Sequence, residues 1–323
     1  MKRRIVSLLT AAVLAVASLT GCSGSGDGAS KVYNIGVCQL VEHPALDAAT
    51  NGFKDALIAK LGEDKVKFDV QNAQGEQATS ATICNGFVAD NVDLILANAT
   101  IPLQTAAAAT SSIPILGTSV TDYASALQMS DWKGTTGRNI SGTSDLAPID
   151  QQEKMLKELF PSAQKVGLLY CTAESNSAYQ IDLFTKALDA DGIAYVKYGI
   201  ADSNEIQSVV TNAVSECDVL YIPTDNTLAN ATETIYNIVV PAKIPVIAGE
   251  EGICKGCGVA TLSISYYDLG YTTGEMAYEI LANGKDIKAL EVKYAPNTTK
   301  KYNKSICEAL GITIPSDYTA IEE

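Results

Sequence analysis

The chain of 323 residues contains one histidine, His43, and one tryptophan, Trp132. Histidine is the side chain most used for proton transfer near neutral pH, and it is the commonest metal ligand. A catalytic triad or a multi-histidine metal centre therefore has almost nothing to be built from. No GxGxxG, Walker loop, HExxH or GxSxG pattern occurs. That removes the usual phosphate cradles, zinc-protease helices and nucleophile elbows. Basic residues are also scarce: 23 Lys and Arg stand against 37 Asp and Glu, for a net charge of −14. An acidic body argues against nucleic acid and against electrostatic docking on anionic lipid. Beyond the N-terminus no stretch is long and apolar enough to span a bilayer. The chain does not read as an enzyme, and neither cofactor nor metal is expected.

What is present begins with a targeting segment. Lys2, Arg3 and Arg4 precede an apolar run from Ile5 to Leu19, and Leu19-Thr20-Gly21-Cys22 follows. This resembles a bacterial lipobox, which implies a signal peptide over 1–21 and lipid on the Cys22 thiol. The protein would then sit on the outer face of the bacterial cytoplasmic membrane. Residues 22–31, rich in Ser and Gly, read as a flexible tether. Loss of Lys2, Arg3 and Arg4 with the leader takes the charge from −14 to −17.

The body is internally duplicated. IGVCQL at 35–40 is echoed by VGLLYC at 166–171, FKDAL at 53–57 by FTKAL at 184–188, and Ile113-Pro114-Ile115 by Ile244-Pro245-Val246. Gly36 and Gly167, Phe53 and Phe184, and Pro114 and Pro245 are each 131 apart. VDLILAN at 92–98 and CDVLYIP at 217–223 form a fourth pair offset by 125. Two similar units imply two similar lobes with a cleft between them.

Within each unit, apolar β-rich runs alternate with segments of helical period, as in 32–40, 45–61, 66–71, 77–90, 94–97, 102–109 and 113–117. Such alternation predicts an α/β fold: two Rossmann-like lobes, each a parallel sheet flanked by helices. The long tail adds a strand over 259–264, a helix over 267–281, a strand over 292–294 and a helix over 303–310. Lobe one is expected over 32–141 plus 262–290, and lobe two over 142–261 plus 291–323. Several crossings between lobes make a hinge.

Ligands of open parallel sheets bind beyond the carboxyl ends of the strands. The duplication pairs those loops: 39–47, 98–102 and 118–122 in lobe one, and 170–177, 224–227 and 249–251 in lobe two. All six carry short polar side chains after apolar strands. Glu174-Ser175-Asn176-Ser177 opens a helix whose first N–H groups would seat a carboxylate, or else simply caps it. Asp225 and Glu250 would pair with an ammonium group, or serve as helix caps. Glu42 is a further acid of this kind, or a solvated loop residue. His43, just before a helix, would line a ligand, stay structural or, with a partner the sequence does not place, act in catalysis. Tyr123 and Tyr170 would stack on a ligand, or belong to core and loop.

Seven cysteines remain after Cys22, an odd number. Cys38, Cys84, Cys171, Cys217 and Cys307 lie in or beside apolar segments and read as buried thiols. Cys254 and Cys257 form a lone CxxC: inert thiols, a local disulfide, or a redox or metal pair.

The stretch IGVCQLVEHPALDAATNGF at 35–53 then names a family. Together with NISGTSD at 139–145, ESNS at 174–177, PTDNT at 223–227, YYDLGYTTG at 266–274 and ALGITIP at 309–315, it resembles the ABC-transporter substrate-binding lipoproteins of the tryptophan/tyrosine-binding type. The resemblance implies a type I periplasmic-binding-protein fold with a three-segment hinge that closes over one small zwitterionic ligand, an aromatic amino acid first. It implies a monomer serving an ABC permease and its cytoplasmic ATPase. The ligand contacts it implies are Gln39, Asn98, Thr100, Thr118 and Ser119 from lobe one. From lobe two they are Ser175, Asn176, Ser177, Asp225, Asn226 and Glu250. A ligand sensor for a signalling receptor, or a binder of a non-amino-acid solute, would share the fold. A thiol oxidoreductase built on Cys254 and Cys257 is a third possibility.

Overall fold

The computed structural model describes residues 31–322. The leader, Cys22 and all but the last residue of the tether lie outside the described residues. The first half runs β1 (Tyr33–Gln39), α1 (Pro44–Leu61), β2 (Val66–Asn72), α2 (Gln77–Ala89), β3 (Leu94–Asn98), α3 (Thr100–Ala109), β4 (Ile115–Val120), α4 (Tyr123–Ala126) and β5 (Ile140–Ser144). The second runs α5 (Ile149–Leu159), β6 (Lys165–Cys171), α6 (Ser175–Asp191), β7 (Ala194–Ile200), α7 (Ile206–Glu216), β8 (Val219–Ile222), α8 (Asn226–Ala229), α9 (Thr232–Ala242), β9 (Val246–Ala248), α10 (Glu251–Cys257) and β10 (Ala260–Ser263). The tail adds α11 (Tyr266–Leu281), β11 (Lys293–Tyr294), β12 (Thr299–Tyr302), α12 (Lys304–Leu310) and β13 (Thr319–Ala320).

One sheet has the order β2-β1-β3-β4-β5-β11 and the other β7-β6-β8-β9-β10-β12-β13. The first five strands of each follow one winding, which is the sequence duplication realised in space. All pairings are parallel except β10 with β12. Each sheet is buried on both faces, so its inner strands are continuous apolar runs without alternation. LILAN of β3 and VLYI of β8 are buried throughout.

The repeated residues have matching work. Phe53 and Phe184 are fully buried in the helix following the first strand of each unit. A Cβ at Gly36 would lie 2.5 Å from the Phe87 ring, and one at Gly167 would lie 2.5 Å from Leu220. Each glycine lets a large side chain press onto its strand.

The chain passes between the sheets three times: after β5, after β10 and after β11. The strand β5 belongs wholly to the first sheet, and β11 pairs with it. Residues 142–144 and 293–294 thus lie in the first sheet and 262–263 in the second, against the lobe boundaries expected from the sequence. A two-residue strand beside a hinge carries no periodicity from which to place it.

Although it lies late in the chain, α11 packs on α1 of lobe one. The contact is backbone against backbone. A Cβ at Gly270 would sit 1.9 Å from the Ala49 carbonyl oxygen, and one at Gly52 2.1 Å from that of Tyr267. Carbonyls in a helix cannot step aside, so any side chain there forces the helices apart. Gly270→Leu is expected to cost about 3 kcal/mol or more, read as a fall in the urea midpoint without a change in slope.

Candidate functional site

The two lobes close on a narrow cavity of about 10 Å³, room for about one water, lined by His43, Leu46, Ser119, Thr121, Asp145, Asn176, Thr224, Asp225, Asn226, Ala229, Glu250 and Tyr266. Most of these follow the carboxyl end of a strand: His43 after β1, Thr121 after β4, Asp145 after β5, Asn176 after β6, Asp225 after β8, Glu250 after β9 and Tyr266 after β10. His43 Nε2 lies 3.2 Å from Asn226 Oδ1 and joins the lobes directly across the cleft.

Of the residues expected to touch ligand, Ser119, Asn176, Asp225, Asn226 and Glu250 line this cavity. The other six do not. Gln39 donates to the Val41 carbonyl and to Asp47, and accepts from Thr50. Asn98 donates to the Leu46 carbonyl and to Thr50. These two side chains tie the first turns of α1 to the ends of β1 and β3, which places His43 and Leu46. Thr118 meets Thr143 at 3.2 Å beneath the cleft, and Thr100 is buried in the first turn of α3. Ser175 accepts from Gln104 of lobe one at 3.5 Å, and Ser177 accepts from Asn176.

The two acids proposed as ammonium partners are both helix caps. Asp225 accepts from the Leu228 N–H at 2.9 Å and the Cys171 N–H at 2.6 Å, using both oxygens. Glu250 accepts from the Gly252 and Ile253 N–H groups, again with both oxygens. Burial, then the nearby Glu174 charge, pushes the Asp225 carboxyl up. Burial pushes Glu250 up to about 7, against the pull of its two N–H donors.

Asp145 was not singled out from the sequence, yet it lines the cavity at 2% exposure. Its Oδ2 accepts from the Tyr266 hydroxyl at 2.9 Å. Its Oδ1 has no hydrogen-bond partner among the described residues. Burial raises this carboxyl, and the Tyr266 and Thr121 hydroxyls oppose the rise. The signal available was its place at the end of NISGTSD, just beyond β5.

Ser119 Oγ, Asn176 Oδ1 and His43 Nδ1 are likewise buried and without a partner among the described residues. Buried polar atoms are almost always paired, so four such atoms on one small cavity mark a place built for a polar guest. No lysine or arginine is among its lining residues. Backbone strain collects here too: Ser119 has φ +55°, and Ala99, at the turn from β3 into α3, has φ +100°.

Tyr123 stacks on Trp132 and donates to the Thr143 carbonyl within lobe one; neither it nor Tyr170 lines the cavity. Cys254 and Cys257 lie on α10, a seven-residue helix with two glycines that the sequence pattern did not suggest. Both are free and buried, and burial pushes both thiols up. Reactive thiols are lowered instead. No group of His, Cys, Asp and Glu among the described residues is arranged to hold a metal, and no described helix is long and apolar enough to cross a membrane.

Comparison with known proteins agrees with this architecture. A tyrosine-binding protein of Clostridioides difficile (strain R20291) is 39% identical over 320 residues, which is 95% of this chain and 92% of that protein. The crystal structure of an ABC domain from Streptococcus pneumoniae in complex with L-Trp superposes with a TM-score of 0.84 at 32% identity, covering 88% of this chain and 97% of that one. The ligand-free, open structure of a Clostridium difficile substrate-binding protein is nearer in sequence, at 39% identity, covering 90% of this chain and 99% of that one. Its TM-score is lower, 0.69. In the present structure the two lobes touch across the cleft through His43 and Asn226. Residues 34–321 match the family described as ABC transporter substrate binding protein, and the chain belongs to that family.

Proposed function

We propose that this substrate-binding protein takes one aromatic amino acid into the cleft and delivers it to an ABC permease with a cytoplasmic ATPase. It would work as an extracytoplasmic monomer anchored by lipid on Cys22. The observation that carries the amino-acid reading is Asp145 Oδ1: a buried, unpartnered carboxylate oxygen on a cavity lined by no lysine or arginine. Such a group calls for a cationic guest. The ligand's ammonium group sits against Asp145. Its carboxylate takes the first N–H groups of α6, at Ser175–Ser177, together with the Ser119 hydroxyl. Asp225, Asn226 and Glu250 shape the walls, with the two acids held by their capping bonds. The ligands named for two relatives, tyrosine and L-Trp, support an aromatic side chain here.

A thermal-shift screen of the mature domain, refolded to strip bound solute, tests this. The panel is the twenty amino acids, purines, polyamines and short peptides. A ligand at about 100 times its Kd adds about 2.7 kcal/mol, a clear rise in Tm. Shifts confined to tyrosine, tryptophan or phenylalanine are expected. No shift with any amino acid would overturn the reading.

A further inference from the structure

Glu174 directly precedes α6. It is 2% exposed, and its carboxylate is filled with donors. Oε1 accepts from the Thr227 N–H and hydroxyl, both at 2.8 Å. Oε2 accepts from the Asn226 N–H at 3.1 Å, from Asn226 Nδ2 at 2.7 Å and from Asn176 Nδ2 at 3.1 Å. A carboxylate only accepts, so both amides must turn their NH2 groups towards it and their carbonyl oxygens away.

The consequence reaches lobe one. Asn226 Oδ1 is an acceptor, and its contact across the cleft is His43 Nε2, which must therefore be the donor. Burial favours the neutral imidazole, against the Asn226 hydrogen bond and the charges of Asp47 and Glu174. A neutral ring with its proton on Nε2 has a bare lone pair on Nδ1. That atom is buried and has no partner among the described residues, as is Asn176 Oδ1. With Asp145 Oδ1, the cavity residues carry three buried, unpartnered atoms that can only accept. An ammonium group has three hydrogens to donate.

We infer that His43 is a ligand-binding residue, held by Asn226 and Glu174 in the Nε2–H form so that Nδ1 accepts a hydrogen bond from the amine of the ligand. Glu174 is then a positioning residue: it orients Asn176 and, through Asn226, His43. The inference rests on the amino-acid reading above and adds to it two amine contacts beside Asp145.

His43 is the only histidine, so a protein labelled with ¹⁵N-histidine shows a single imidazole. Long-range ¹H–¹⁵N spectra are recorded for the full domain alone, with L-tryptophan and L-tyrosine, and with indole-3-propionate and 3-(4-hydroxyphenyl)propionate, which lack the amine. With either amino acid the expected form carries its proton on Nε2, and the Nδ1 resonance moves in the direction of hydrogen-bond acceptance. The amine-free acids leave Nδ1 unmoved. His43→Gln removes Nδ1 and should weaken amino-acid binding tenfold or more. A proton on Nδ1 in the complex, or an equal Nδ1 shift with the amine-free acids, overturns the inference. If the amino acids raise Tm while Nδ1 stays still, the role of His43 falls and the amino-acid reading stands. If neither amino acid binds the unaltered protein, both fall together.

Discussion

Asp145→Asn is expected to weaken amino-acid binding by about 2–4 kcal/mol, roughly 30- to 700-fold in Kd. Asparagine keeps the shape and an acceptor for the Tyr266 hydroxyl, so the change removes charge and little else. Part of the loss comes from burying an ammonium group with no counter-charge. The unliganded protein should be as stable as before or more so, since burial already disfavours the ionised Asp145. Titration calorimetry and thermal melts of both forms check the two halves. Unchanged affinity would move the ammonium site elsewhere, with Asp225 and Glu250 the nearest alternatives. Those two should respond differently, because removing either frees capping N–H groups and so costs stability without ligand.

The second large effect is on pH. Asp145, Asp225 and Glu250 all line the cavity, and burial raises all three. The folded, closed form holds protons that the unfolded chain releases. For Glu250 the stabilising contribution is complete below about 4.5 and is lost as pH rises through about 7. Stability of the unliganded closed form should therefore fall over this window, by up to about 1.4 kcal/mol per pH unit for each group titrating. A cationic ligand reverses the trend, because it favours the ionised carboxylates. Affinity should rise between pH 5 and pH 8, and ligand-induced stabilisation should grow with it. Melts at four pH values with and without ligand give both slopes. A ligand shift independent of pH would mean that none of these acids faces the ammonium group.

Much of the fold was legible because the duplication repeats physical constraints as well as letters. Gly36 and Gly167 both admit a bulky neighbour, Phe53 and Phe184 both fill a helix–sheet interface, and the order of strands follows. The six loops at the strand ends were legible for the same reason. The roles within them were not. An aspartate before a short helix caps it or meets a ligand, and the letters do not distinguish the two. That depends on whether an N–H from elsewhere, such as that of Cys171 on Asp225, takes the second oxygen. Asp145 was missed because its spare oxygen is defined by Tyr266, 121 residues away in sequence. Gln39 and Asn98, which the family resemblance places at the ligand, line no part of the cavity between the lobes. Both hold α1 against the strand ends.

The glycine-lined contact between α1 and α11 bears on how such a pocket changes its taste. His43 caps α1 and Tyr266 opens α11, so one wall of the cleft hangs from two helices locked backbone to backbone. That wall is an anvil, because at Gly52 and Gly270 its joint is backbone on backbone and has no room for a larger residue. Opposite it, Asn176 stands after β6, and Thr224 and Asn226 stand after β8, in lobe two. New ligands should accordingly be accommodated by exchanging residues in the loops at 172–177 and 223–229, while the face built on α1 and α11 stays as it is.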